Sequence, residues 1–146
     1  MELRRLGTSG LISSAMGLGT LAFTGGYGAA DQEDCSATLQ LALDIGVTLI
    51  DTADFYAGGS VERLIGAAIR GRRDAAVIAT RGGATFTPEG RPTGLDARPE
   101  HLRAACDASL RRLGVDRIDL YSLARVDPNV PLEDSIGALA ELVGRR

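Results

Sequence analysis

The sequence contains no lysine and no tryptophan, one histidine, two cysteines, and only three tyrosines and three phenylalanines. All 16 basic residues are therefore arginine. Without lysine, Schiff-base chemistry and any other step resting on a lysine are excluded. Histidine chemistry would fall to His101 alone. Cys35 and Cys106 make no disulfide framework, and with one histidine they leave too few ligands for a zinc site, so no metal is expected. This cysteine usage fits a reducing cytoplasm. No apolar run approaches the roughly 18 residues that span a membrane. The start, MELRRLGTSG, lacks the apolar core and cleavage site of a signal peptide. A net charge of −3 argues against nucleic-acid or anionic-membrane partners.

The 146 residues, 45% of them hydrophobic, suit one domain over 1–146 that can bury about 68–70% of its unfolded surface. A turn at Thr8-Ser9-Gly10 between short apolar runs predicts a hairpin. A strand follows, ending near Met16–Gly19, and then a glycine-rich loop. Asp31 is the expected N-cap of a helix reaching Ile45, stopped by Gly46. Val47–Ile50 predicts a buried strand. Ser60 is the expected cap of a helix with Val61, Leu64, Ile65, Ala68 and Ile69 on one face, and Gly71 its stop. Ala75–Thr80 predicts the next strand and 82–97 a loop. Pro99 suits the first position of a helix that buries Leu102, Ala105, Cys106, Leu110 and Leu113 and ends at Gly114. Ile118–Tyr121 predicts a strand. Pro131 opens a last helix with Leu132, Ile136, Leu139, Ala140 and Val143 on one face. Strands alternating with amphipathic helices in units of about 30–35 residues imply a parallel α/β sheet. No linker or second domain is visible.

The stretches RRLGTSGLISSAMGLGT, DTADFYAGG, VIATRGG, SLRRLGVDRIDLYSLARVDP and ALAELV occur in order over essentially the whole chain. Together they resemble the N-terminal half of the aldo-keto reductases. The resemblance implies a (βα)4 half of a TIM barrel with an N-terminal β-hairpin. It also implies a site at the carboxyl ends of the strands. That family reduces carbonyls with NADPH through an Asp, a Tyr, a Lys and a His. Position by position, the Asp falls on Asp51 and the Tyr on Tyr56. The lysine position holds Arg81, and the histidine position holds Ala124. The later units, which in the family hold most of the dinucleotide, are missing. The clusters Gly17-Leu18-Gly19 and Gly25-Gly26-Tyr27-Gly28 form no GxGxxG fingerprint.

Asp51, Tyr56 and Arg81 are the expected catalytic group. Asp51 is either an electrostatic partner or a loop cap, and Tyr56 either a general acid or a packing aromatic. Arg81, always charged and fork-shaped, could pair with Asp51, bias Tyr56, or grip a substrate carboxylate or enolate. The alternative for the pair is a purely structural ion pair. Thr20, Tyr27, Ala124 and Arg125 are the substrate-binding candidates. Ala124 removes an imidazole and makes room, while Arg125 is expected to pair with Asp127. His101 is expected to face solvent, and both cysteines to pack as inert thiols.

Four units leave two open strand edges, which invite pairing. The expected solution is a homodimer that rebuilds a barrel-like sheet. No cofactor is expected, NADP being accommodated only if a second chain completes the site. The expected function is non-redox acid–base catalysis, namely dehydration, isomerisation or cyclisation, on an oxygenated small molecule. The Ala-, Gly- and Arg-rich composition fits a GC-rich bacterial gene in specialised metabolism. The alternatives are a non-catalytic ligand-binding or scaffold remnant, and a carbonyl reductase completed by another chain.

Overall fold

A computed structural model describes residues 1–87 and 90–143. The first strands, β1 (Leu3–Arg5) and β2 (Ile12–Ser14), form the antiparallel hairpin across the Thr8-Ser9-Gly10 turn. Next come β3 (Gly17–Gly19), α1 (Gln32–Asp44), β4 (Leu49–Asp51), α2 (Ser60–Ala68) and β5 (Val77–Gly82). A second hairpin, β6 (Ala84–Phe86) with β7 (Pro92–Leu95), precedes α3 (Pro99–Leu113), β8 (Leu120–Leu123) and α4 (Leu132–Leu142). The strands β3, β4, β5 and β8 pair in that order as one parallel four-stranded sheet. Each is followed by its helix, so the chain forms four strand–helix units with β3 and β8 as edges.

Asp31 caps α1 as expected, its carboxylate accepting from the amides of Glu33 and Asp34. Pro99 opens α3, and Gly114 closes it in the left-handed conformation. Period-2 alternation sends Ile50 and Ile78 to the helical side of the sheet, where both are fully buried. There they meet Leu39, Leu43, Val61, Ile65, Ile69 and Leu113. Such burial contributes about 1.5–3 kcal/mol per large aliphatic side chain. The two cysteines are buried and unlinked.

Several boundaries differ from the sequence reading. Ser60 is the first residue of α2, not its cap. A 3₁₀ turn (Tyr56–Gly59) feeds the helix through left-handed backbone at Ala57, Gly58 and Gly59, so backbone rather than a hydroxyl sets the entry. β4 runs one residue past the predicted Ile50. β5 starts at Val77 because Arg73–Ala75 forms a 3₁₀ turn. β8 begins two residues later than Ile118, because the Asp119 carboxylate itself takes the Ile78 amide at 2.7 Å. The predicted 82–97 loop contains β6 and β7, steadied by Phe86 stacking on Phe55 with centroids 4.5 Å apart; positions 88 and 89 of that loop lie outside the described residues. The predicted α4 face is not the buried one. Ser135 and Ala138 face inward, the Ser135 hydroxyl donating to the Ala97 carbonyl, and Leu132, Ile136 and Val143 stay exposed. Among the described residues no helix is long and apolar enough to cross a membrane.

Candidate functional site

The alternation that buries Ile50 and Ile78 places Asp51, Ala79 and Arg81 on the opposite, inner face of the sheet. Asp51 lies opposite Ala79, two residues before Arg81. Asp51 thus ends β4 beside the end of β5, and the Arg81 Nη2 donates to both of its carboxylate oxygens. The Arg81 Nε reaches the Thr52 carbonyl at 3.3 Å. The backbone closes the same corner, since the Asp54 amide donates to the Arg81 carbonyl at 3.1 Å. Arginine rather than lysine can make both the carboxylate and the carbonyl contacts at once. Both side chains remain partly exposed, at 33% for Arg81 and 41% for Asp51.

Tyr56 opens the 3₁₀ turn just beyond β4, with its ring edge-on to Phe55 and packed against the core. Burial pushes its phenol above the ordinary value of 10; Arg81 pulls it down, while Asp51 and Tyr27 push it up. The phenol therefore keeps its proton through the neutral range near the Arg81–Asp51 pair. Such an arrangement can donate a hydrogen bond, and in turn a proton, to an oxygen that gathers negative charge.

The remaining candidates are placed differently. Thr20 is fully buried, and both its amide and its hydroxyl donate to the Asp51 carbonyl at 2.9 Å, so it fixes the strand end. Tyr27 is 80% exposed yet close enough to influence Tyr56. Ala124 is half-buried, its amide bound to the Gly82 carbonyl at 2.8 Å. Arg125 is exposed and does not pair with Asp127. That carboxylate is buried and instead accepts from the amides of Ala97 and Asn129. His101 does not simply face solvent: it is half-buried, with Nδ1 3.5 Å from Asp96.

Sequence reasoning missed two groups. Ser122 pairs in register with Arg81 and so shares the inner face; its spacing of two from Ala124 was the available signal. Behind the sheet, a buried polar cluster surrounds Glu62, which is fully buried. One Glu62 oxygen accepts from the Thr80 hydroxyl at 2.8 Å and the other from Arg112 Nε at 2.6 Å. Asp54 and Tyr121 complete the cluster, each with a buried oxygen that has no hydrogen-bond partner among the described residues. Burial, reinforced by Glu62 and opposed by Arg112, raises Asp54 to about 7. Glu62 shares the i, i+3, i+7 row with Ile65 and Ile69, which is the pattern that would have revealed it. Among the described residues no three His, Cys, Asp or Glu side chains gather in a way that could hold a metal.

Comparisons with known proteins agree on one lineage. A family model, the Aldo/keto reductase family, matches residues 15–145. A probable aldo-keto reductase 1 from Glycine max is 38% identical over 142 residues, covering 95% of this chain and 40% of its own. Among solved structures, the holo form of an aldo-keto reductase from Bacillus halodurans superposes with a TM-score of 0.88 at 33% identity, over 97% of this chain and 46% of that one. A glycerol dehydrogenase from Gluconobacter oxydans gives 0.83 at 32% identity, over 97% and 44%. The chain thus spans a little under half the length of these relatives.

Proposed function

The chain belongs to the aldo/keto reductase family and has the fold of half its TIM barrel, and on that premise we propose that its strand-end cluster is an acid–base site for a small carbonyl compound. In this reading Tyr56 donates its proton to the substrate oxygen as water takes the α-proton, so an enol forms. Arg81 steadies the tyrosinate left behind until solvent returns its proton, and Asp51 holds Arg81 in place. The reactions such a site supports alone are dehydration, isomerisation and cyclisation, in which a proton moves and no hydride is required. The supporting observation is the placement of the Tyr56 phenol where Arg81 and Asp51 act on it in opposite directions, with the two held to each other at the strand ends. Ala124, where the family's histidine would stand, leaves room for a bulkier substrate, and the specialised-metabolism role inferred from composition suits such chemistry.

NADP is the family's usual cofactor, and the chain spans under half the length of relatives such as the holo aldo-keto reductase from Bacillus halodurans. The arginine on the inner face is held by Asp51. A second reading is an NADPH-dependent reductase whose site is completed by a second (βα)4 half. It is favoured by the open β3 and β8 edges and by exposed apolar side chains on both flanks: Leu41 on α1 and Ile45 just beyond it, Ile136 on α4 and Val143 just beyond it. A second copy of this chain is the partner that reading takes, as a homodimer pairing β8 of one copy with β3 of the other.

The two readings separate in one experiment. A panel of small aldehydes and ketones is incubated with the protein in D2O, without nucleotide, and α-hydrogen exchange is followed by NMR. Exchange above buffer that disappears in Tyr56→Phe supports the acid–base site. Absence of exchange across the panel, with carbonyl reduction on adding NADPH to a sedimenting dimer, supports the reductase. Absence of both leaves the ligand-binding remnant.

A further inference from the structure

On the helical outer face, toward the amino ends of the strands, α2 and α3 leave a groove of about 930 Å³. On α2 and the turn after it, the lining follows the i, i+3, i+4, i+7 row Arg63, Gly66, Ala67 and Arg70. Ala108 and Arg111 face them from α3. The floor is small side chains and backbone: a Cβ on Gly66 would lie 2.1 Å from the Leu113 carbonyl oxygen. Two further arginines at the groove are occupied elsewhere, Arg112 by Glu62 and Arg73 by Asp119. Arg63, Arg70 and Arg111 are exposed and, among the described residues, their side chains make no hydrogen bond or ion pair. One acidic residue, Asp116, shares the lining.

Helix ends do not account for this gathering. Arg70 and Arg111 lie near helix carboxyl termini, where a cation is favoured. Arg63 lies in the first turn of α2, where the same field opposes it. The neighbouring helices carry the opposite charge: Glu33 and Asp34 on α1, Glu133 and Asp134 on α4. The volume falls within the roughly 300–1,000 Å³ of small-molecule sites, and guanidinium forks match phosphate oxygens.

We propose that the α2–α3 groove binds a phosphate-bearing small molecule through Arg63, Arg70 and Arg111, at a site separate from the strand-end cluster and independent of its chemistry. Inorganic pyrophosphate is the probe, titrated calorimetrically into the full chain at low and at physiological ionic strength. The expected result is saturable binding with a dissociation constant of about 1 mM or tighter. It weakens with salt and by at least roughly tenfold in the Arg63→Gln/Arg111→Gln double variant. Arg70→Gln gives a smaller loss. Arg98→Gln, which removes an arginine already paired with Asp96 outside the groove, leaves binding unchanged. The three groove arginines hold nothing else in place, so circular dichroism of their variants should match the parent. No saturable binding, or equal binding by the double variant, overturns the proposal. So does tighter, arginine-dependent binding of a short oligonucleotide, which would make the groove a nucleic-acid surface instead.

Discussion

The Arg81 guanidinium donates through Nη2 to both carboxylate oxygens of Asp51, across two neighbouring parallel strands at the point where both end. Because the two charges act on Tyr56 in opposite directions, removing either one should move that phenol predictably. Asp51→Asn deletes an anion that raises it, so Tyr56 should ionise at lower pH. Arg81→Gln deletes the cation that lowers it, so Tyr56 should ionise at higher pH. Tyrosinate absorbance in spectrophotometric titration, with Tyr56→Phe identifying the transition, is the check. Shifts in the same direction, or none, would dissolve the cluster. Both side chains are about a third or more exposed, so the stability cost of losing the pair should stay below about 1 kcal/mol.

Tyr56→Phe keeps the ring against Phe55 and the core but removes the exchangeable proton. In the deuterium-exchange assay the rate should fall by roughly 10²–10⁴, the usual worth of one general acid or base, with the melting curve nearly unchanged. Arg81→Lys should retain part of the rate, since the charge stays while the contact to the Thr52 carbonyl is lost. A full rate in Tyr56→Phe would assign the ring to packing alone.

The strand–helix alternation was legible because its signals are local: Asp31 and Pro99 at helix starts, Gly114 at an end, β-branched runs between. Asp51, Tyr56 and Arg81 were legible through motif resemblance, but their meeting depends on strand register, which no local pattern prints. The β6–β7 hairpin was hidden because its pairing leans on Phe86 stacking against Phe55, some thirty positions away (roughly one βαβ unit). α4 misled because its apolar residues outnumber those it buries: Ser135, satisfied by the Ala97 carbonyl, takes a core position that hydropathy would deny it. Glu62 was missed for the same reason, a charged side chain made tolerable in the core by Thr80 and Arg112.

At Gly66, α2 approaches the end of α3 closely, with the Leu113 carbonyl oxygen, carbonyl carbon and Cα all within 3 Å of where a Cβ would stand. Those atoms are backbone and cannot turn aside. Gly66→Ala gains helix propensity, worth up to about 1 kcal/mol. It must also push two helices apart, and overpacking of this kind costs about 1–3 kcal/mol or more. Net destabilisation in urea unfolding is expected. Gly137, in α4 with no atom within 4 Å of its Cβ position, is the control, and there the alanine should be neutral or stabilising. A stable Gly66→Ala protein would mean that the α2–α3 approach is looser than described.

Asp54 supplies the pH dependence. Its carboxyl is raised from 3.8 to about 7, chiefly by burial and then by Glu62, with Arg112 opposing. Between those two values the folded protein holds a proton on Asp54 that the unfolded chain has released. The unfolded state therefore binds fewer protons, and stability must fall as pH rises across that window. The contribution is fully present below about 4 and lost by the time Asp54 ionises in the fold near 7. Asp54→Asn keeps the shape and cannot ionise, so its stability should be flatter between pH 4 and 7 and should exceed that of the parent above pH 7. Urea midpoints measured at several pH values for both proteins decide the matter. If the parent gains stability toward pH 7, or if the asparagine variant follows the same slope, then Asp54 ionises freely and the orphaned oxygen at its carboxyl is satisfied by solvent.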